Sequence, residues 1–137
     1  MFATRSFYLL MVIAVLVVTA CAPSEESNPA DGFVGTWSGT MSMTEDPTVS
    51  AVAIVTIPTG CLVNQPCGDA TNTSNGCKWE MTLFSVKGDV FEYSYSKSLE
   101  GDCPASGAGT LTLNPDGTLF REHKFPDFTI TGTLTRR

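Results

Sequence analysis

Between Lys78 and Ser96 the chain alternates with a period of two on both sides of one tight turn. Trp79, Met81 and Leu83 share one face of the first run, with Lys78, Glu80 and Thr82 on the other. After Lys87-Gly88-Asp89 the second run places Phe91, Tyr93 and Tyr95 on one face and Glu92, Ser94 and Ser96 on the other. Successive side chains of a strand point to opposite faces, so this pattern predicts an antiparallel hairpin with one wall on a core and the other in water. The same period recurs along the chain. Phe33, Trp37, Met41 and Met43 oppose Thr36, Ser38, Thr40 and Ser42, and Phe128, Ile130 and Leu134 oppose Thr129, Thr131, Thr133 and Thr135. Val49 to Ile57 is a second strand, less cleanly alternating and apolar enough to be buried in part on both faces. A short strand around Gly68–Asn72 and further strands over Gly107–Leu113 and Thr118–Lys124 complete the set. Turn residues separate them, most strongly Asn114-Pro115-Asp116-Gly117, where Pro presets φ and Gly accepts φ > 0. No window carries apolar residues at helical spacing over three turns without Gly, Pro or a β-branched run. The prediction is an all-β, up-and-down antiparallel β-barrel of about eight strands. Its last strand pairs with its first, because closure removes exposed edges.

The first residues belong to a different economy of sequence. Phe7 to Val18 holds no charge and follows the single base Arg5. A run of this length suits the core of a secretory signal and falls short of the ~20 residues of a spanning helix. The run closes on Val18-Thr19-Ala20-Cys21, which resembles the bacterial lipobox, an aliphatic residue and two small ones before an obligatory cysteine. The resemblance implies cleavage before Cys21, acylation of its thiol and amine, and anchoring in a membrane, since two or more acyl chains hold firmly. Ala22 in place of Asp after the cysteine resembles the pattern sorted to the outer membrane in Gram-negative bacteria. The expected division is therefore a signal over 1–20, a lipidated Cys21 with a flexible tether to residue 32, and a barrel domain over 33–137. The tether, Ala-Pro-Ser-Glu-Glu-Ser-Asn-Pro-Ala-Asp-Gly from Ala22, has no apolar surface to bury and is expected to stay disordered. The expected location is extracytoplasmic, on the outer membrane or the cell surface.

Without the signal the chain carries 14 acids against 7 bases, Arg5 having been lost. An acidic surface argues against nucleic acid and against electrostatic docking on anionic lipid. Cys61, Cys67, Cys77 and Cys103 remain, and outside the cytoplasm an even number reads as disulfides. Three connectivities are possible. Pairing about the Lys87-Gly88-Asp89 turn brings Cys77 beside the segment that holds Cys103, which favours Cys77–Cys103 and leaves Cys61–Cys67 to pin a short loop. The rival use of the thiols is zinc, but no C-x₂₋₄-C pair exists and His123 is the only histidine.

Gly35-Thr36-Trp37 in the first strand resembles the Gly-x-Trp opening of lipocalins and related small barrels. That resemblance implies a Trp closing one barrel end and a basic residue from a late strand, here Arg136 or Arg137, packed upon it. From Gly35 to Arg136 the chain also looks like small secreted bacterial domains of uncharacterised family. The cysteines, Pro115-Asp116-Gly117-Thr118-Leu119 and Gly132-Thr133-Leu134-Thr135 carry that likeness. Relative to lipocalins the chain is shorter and shows no helix before the final strand, which argues against a roomy cavity.

The residues that could carry chemistry are few. His123, between Glu122 and Lys124, reads as a surface or rim histidine, with nothing in the sequence placing a nucleophile beside it. Carboxylates scatter over turns and outer faces, and no inward pair suits general acid–base work. The expectation is a non-enzymatic protein without metal or cofactor. The remaining candidate site is the barrel interior, lined by Trp37, Met41, Trp79, Met81, Phe91, Tyr93 and Tyr95, with Leu111 and Ile130. Such residues suit an adaptable apolar pocket or a filled core. Three functions compete: first a non-enzymatic binding or interaction module for an envelope protein, second a lipocalin-like carrier of a small apolar ligand in the barrel interior, and third a hydrolase using His123.

Overall fold

The computed structural model describes residues 26–104 and 106–137. The lipobox-like stretch and Cys21 lie outside them. Eight strands follow a single 3₁₀ turn, Asp31–Phe33: β1 Gly35–Met43, β2 Ser50–Ile57, β3 Pro66–Asn72, β4 Cys77–Lys87, β5 Val90–Glu100, β6 Ala108–Leu113, β7 Leu119–Lys124 and β8 Thr129–Arg136. Each pairs antiparallel with the next, and β8 returns to β1, so the sheet is a closed barrel. The all-β, eight-stranded antiparallel barrel expected from the alternation is the fold observed.

Closure needs strands that coil. The long β4–β5 hairpin shifts register at three places along its length, and each irregularity adds local twist and bend. Gly39 and Gly132 serve the β1–β8 seam. A side chain at Gly39 would run into the Thr133 carbonyl, and one at Gly132 into the Thr40 carbonyl and Met41. The inward faces are those the alternation assigned in β4 and β5: Trp79, Met81, Leu83, Phe91, Tyr93 and Tyr95 are all buried. In β2 the alternation is cleaner than its sequence. Ala53, Val55 and Ile57 are buried, while on the outer face Val52 is 41% exposed and Ile54 is half-buried, so one face is fully core and the other is covered only in part.

The two barrel ends differ. At one end Phe33, delivered by the 3₁₀ turn, is buried and meets Phe91 at 5.3 Å between ring centroids. Trp37 is fully buried, its Nε1 donates to the Phe33 carbonyl at 2.8 Å, and the Arg136 guanidinium lies 4.5 Å from its ring centroid. Burying each such side chain contributes about 1.5–3 kcal/mol. This is the plugged end, and the Trp with a late-strand arginine upon it is the arrangement implied by Gly-x-Trp. The expected disorder through residue 32 does not hold here. Ala30 is 1% exposed, and Asn28 Nδ2 donates to the Cys61 carbonyl at 2.8 Å. The plug draws these residues onto the barrel because Phe33 must reach its seat.

Two disulfides, Cys61–Cys67 and Cys77–Cys103, have Cα separations of 5.3 and 5.8 Å, within the normal range. The first pins a loop at the plugged end. That loop pairs with β4, Asn64 N–H donating to the Leu83 carbonyl at 2.7 Å and Leu83 N–H to the Gln65 carbonyl at 3.1 Å. These bonds let β3 begin at Pro66, two residues before the strand expected around Gly68. The second disulfide ties the start of β4 to the segment after β5, at the opposite end.

Candidate functional site

At that opposite end the barrel is open. A recess of about 210 Å³ enters the interior, lined among others by Met41, Trp79, Tyr95, Arg121, Phe125 and Ile130. Each wall follows from strand parity. On β5 the inward positions run Phe91, Tyr93, Tyr95 from plug to mouth. On β7 they run Leu119, Arg121, His123, with Phe125 continuing beyond the strand. Aromatic contacts ladder between these rows: Tyr95 stacks on Trp79 at 4.8 Å and on His123 at 4.0 Å, and Phe125 meets His123 at 4.5 Å and Phe128 at 4.6 Å. Trp79 Nε1 donates to the Pro104 carbonyl at 2.7 Å, tying the mouth segment to the wall.

The floor of the recess is polar. Arg121 is 2% exposed. Its Nε donates to Tyr93 Oη at 2.8 Å, and its Nη2 donates to Tyr95 Oη. The guanidinium carbon stands 5.9 Å from each tyrosine ring centroid. Among the described residues no carboxylate pairs with it; the ion pairs Lys78–Asp69, Lys87–Glu92 and Lys124–Glu122 lie on the outer wall. Burial pulls the guanidinium toward its neutral form, the tyrosine oxygens beside it pull the other way, and the group stays charged. Burial likewise pushes both phenols up, against the pull of Arg121, so both are neutral at physiological pH.

His123 lies next to this floor and is fully buried. Its Nδ1 is 3.1 Å from Tyr93 Oη. Since Tyr93 Oη already accepts from Arg121, we assign its hydrogen to His123 Nδ1, which leaves the ring proton on Nε2. Nε2 has no hydrogen-bond partner among the described residues. Burial, with repulsion from Arg121 second, lowers His123 to about 3, so the ring is neutral. Two glycines make room for the network. Gly109 faces inward opposite both Tyr93 and His123, and a Cβ there would stand 2.7 Å from Tyr93 Oη. A side chain at Gly107 would collide with His123 Nε2.

Several expectations are corrected here. His123 is an interior residue, not a surface or rim one. Its flanking charges say nothing about its face, which alternation from Leu119 decides. The interior is neither filled throughout nor hollow throughout. Of the candidate lining residues, Met41, Trp79 and Tyr95 line the recess, as does Ile130. Trp37, Met81, Phe91 and Leu111 do not; they are packed solid in the plugged half, where Phe33 occupies the space a ligand would need. Tyr93 does not line the recess either; its hydroxyl bonds to Arg121, which does. Sequence reasoning missed Arg121, Phe125 and Phe128. The signal was available, because Leu119, Arg121, His123 and Phe125 share one parity.

Among the described residues no three His, Cys, Asp or Glu side chains gather as a metal site. The partner of His123 is a phenol rather than a serine or thiol nucleophile. The two disulfides fit an oxidising, extracytoplasmic compartment. No protein-family profile matches the chain, and no curated protein sequence resembles it at a significant level.

Proposed function

We propose that the protein is a lipid-anchored extracytoplasmic lipoprotein acting as a non-enzymatic binding module, with a small, largely apolar ligand held at the open end of its barrel. The single observation that carries this reading is the recess of about 210 Å³, walled by methionine and aromatic side chains at the end opposite the Phe33 plug. Its size lies below the ~300 Å³ where drug-sized sites begin, so the ligand is small. Anchoring rests on the lipobox-like Val18-Thr19-Ala20-Cys21, and Ala22 favours the outer membrane or cell surface. The chain joins the barrel at the plugged end, where Asn28 and Ala30 dock. From Cys21 to Asn28 an extended chain spans at most about 25 Å. The tether therefore leaves the barrel from the plugged end, opposite the mouth.

Native mass spectrometry of the mature protein from its host tests the binding reading. The expected spectrum is a diacylated or triacylated chain carrying two disulfides and a retained small molecule that Ile130→Trp, which fills the mouth, removes. A ligand-free spectrum identical in wild type and variant would overturn it. Acyl labelling lost in Cys21→Ser tests the anchor.

A second reading, an interaction module for an envelope protein, is favoured by one observation. Leu62, Val63 and Phe84 are 63%, 51% and 52% exposed, and the loop bond to the Leu83 carbonyl sets them side by side at the plugged end. On that reading Leu62→Ser with Phe84→Ser abolishes partner capture, while Ile130→Trp leaves it intact.

A further inference from the structure

Arg121 has no evident structural reason to be charged and buried where it is. Taking a guanidinium out of water costs several kcal/mol unless an anion and a full set of acceptors repay it. Here the acceptors are two neutral phenols. Two of the five guanidinium N–H groups, one on Nε and one on Nη2, donate to those hydroxyls, while Nη1 makes no hydrogen bond among the described residues. Nη1 is also not among the sealed polar atoms that lack a partner, and Arg121 lines the recess. The free edge of the guanidinium thus opens into the cavity. An apolar side chain of similar volume would fill this position at lower cost in a barrel that served only to be stable.

We propose that Arg121 is the anchor for the carboxylate of a small apolar monoanion, bound head-down in the recess. This rests on the reading of the recess as a ligand site and adds the chemical class of the ligand. The planar guanidinium presents paired donors that match a carboxylate. One buried cation neutralises one negative charge. A dianionic phosphate ester would leave a charge uncompensated in an apolar enclosure, so the head is a monoanion. Tyr93 and Tyr95 are positioning residues: their hydroxyls hold Nε and Nη2, which fixes the plane of the guanidinium and aims Nη1 at the mouth. Neutral His123 completes the arrangement by accepting the Tyr93 hydrogen, and its neutrality keeps a second positive charge out of the floor. The body of the ligand lies between Trp79, Tyr95 and Phe125 on one side and Met41 and Ile130 on the other. Those walls accept an aromatic ring or a short alkyl chain.

The test pairs each anion with its neutral amide. Benzoate, benzamide, hexanoate and hexanamide are titrated by saturation-transfer NMR into the full mature lipoprotein in nanodiscs, with empty nanodiscs as the blank. At least one carboxylate is expected to bind about 10-fold or more tightly than its amide, the usual weight of a charged hydrogen bond. Arg121→Met removes that preference, Arg121→Lys keeps it in weakened form, and Ile130→Trp removes all binding. In the wild type the Arg121 Nε–H resonance shifts on adding the carboxylate and not the amide, a readout that does not depend on any variant folding. Equal binding of anion and amide, or an Arg121 resonance that stays still, overturns the proposal while leaving the recess a neutral-ligand site. If none of the four probes binds, the proposal falls too. The binding reading is then judged separately, by whether the protein from its host retains a molecule.

Discussion

Arg121 and His123 sit two residues apart on the same face of β7, and the fold treats them oppositely: one is held charged, the other neutral. That difference sets the pH response. In the unfolded chain His123 titrates near 6.5, whereas in the fold burial and Arg121 hold it to about 3. Below pH 6.5 the unfolded state therefore binds a proton that the native state refuses, and stability falls as pH drops. The loss approaches about 1.4 kcal/mol per pH unit once well below 6.5. Asp46, Glu92 and Asp116 are lowered by hydrogen bonds from Thr48, Ser85 and Thr118, and their contribution is lost only below their ordinary values of 3.8 to 4.5. A fall in the urea midpoint between about pH 6.5 and 4.5 thus reports His123, and His123→Gln should flatten it. A pH-independent midpoint in the wild type across that window would contradict a buried neutral ring. Gly109 is the other decisive residue. Gly109→Ala forces a methyl against the Glu122 carbonyl and Tyr93 Oη and should cost about 1–3 kcal/mol in urea unfolding.

Among the elements, the two disulfides divide the work by end. Cys77–Cys103 closes a sequence separation of 26 and Cys61–Cys67 one of 6. Loop entropy assigns them about 3.5 and about 2 kcal/mol. Replacing Cys77 and Cys103 by Ala should accordingly lower stability more than replacing Cys61 and Cys67, as read from urea midpoints of the two double variants. The same replacement frees the segment carrying Pro104, whose carbonyl holds Trp79, so it should also weaken whatever the recess binds. The hairpin β4–β5 was legible because the alternation holds from Lys78 to Leu83 and from Phe91 to Ser96 on either side of its turn, and the pairing of Cys77 with Cys103 followed from that pairing of strands. The face of β7 was less legible. Arg121 and His123 are polar at inward positions, and a pattern read by hydrophobicity assigns such residues outward. Strand parity counted from Leu119 places them correctly, but that count needs Leu119 to be known as a core residue first.

For the whole molecule, the asymmetry of the ends is what converts a stable barrel into one with a site. Phe33 fills one end, and among the described residues nothing comparable fills the other. A chain cut after Ser27 should keep its full urea midpoint, whereas one cut after Phe33 should lose about 3–5 kcal/mol, the usual cost of vacating a buried aromatic site. Equal midpoints for the two would remove the plug from the account. Much of this architecture was determined by the sequence alone. Period-two alternation broken by turn residues leaves a chain of this length few ways to bury one face of every strand, and an up-and-down closed sheet is the simplest. The cysteine count likewise carries its meaning locally. What only the tertiary structure decided is where the interior is full and where it is open. That depends on Phe33 reaching across to Phe91, on Gly109 and Gly107 leaving space opposite Tyr93 and His123, and on how far Arg121 extends toward the mouth. These are sums of side-chain volumes from strands distant in sequence, and no local pattern records such a sum.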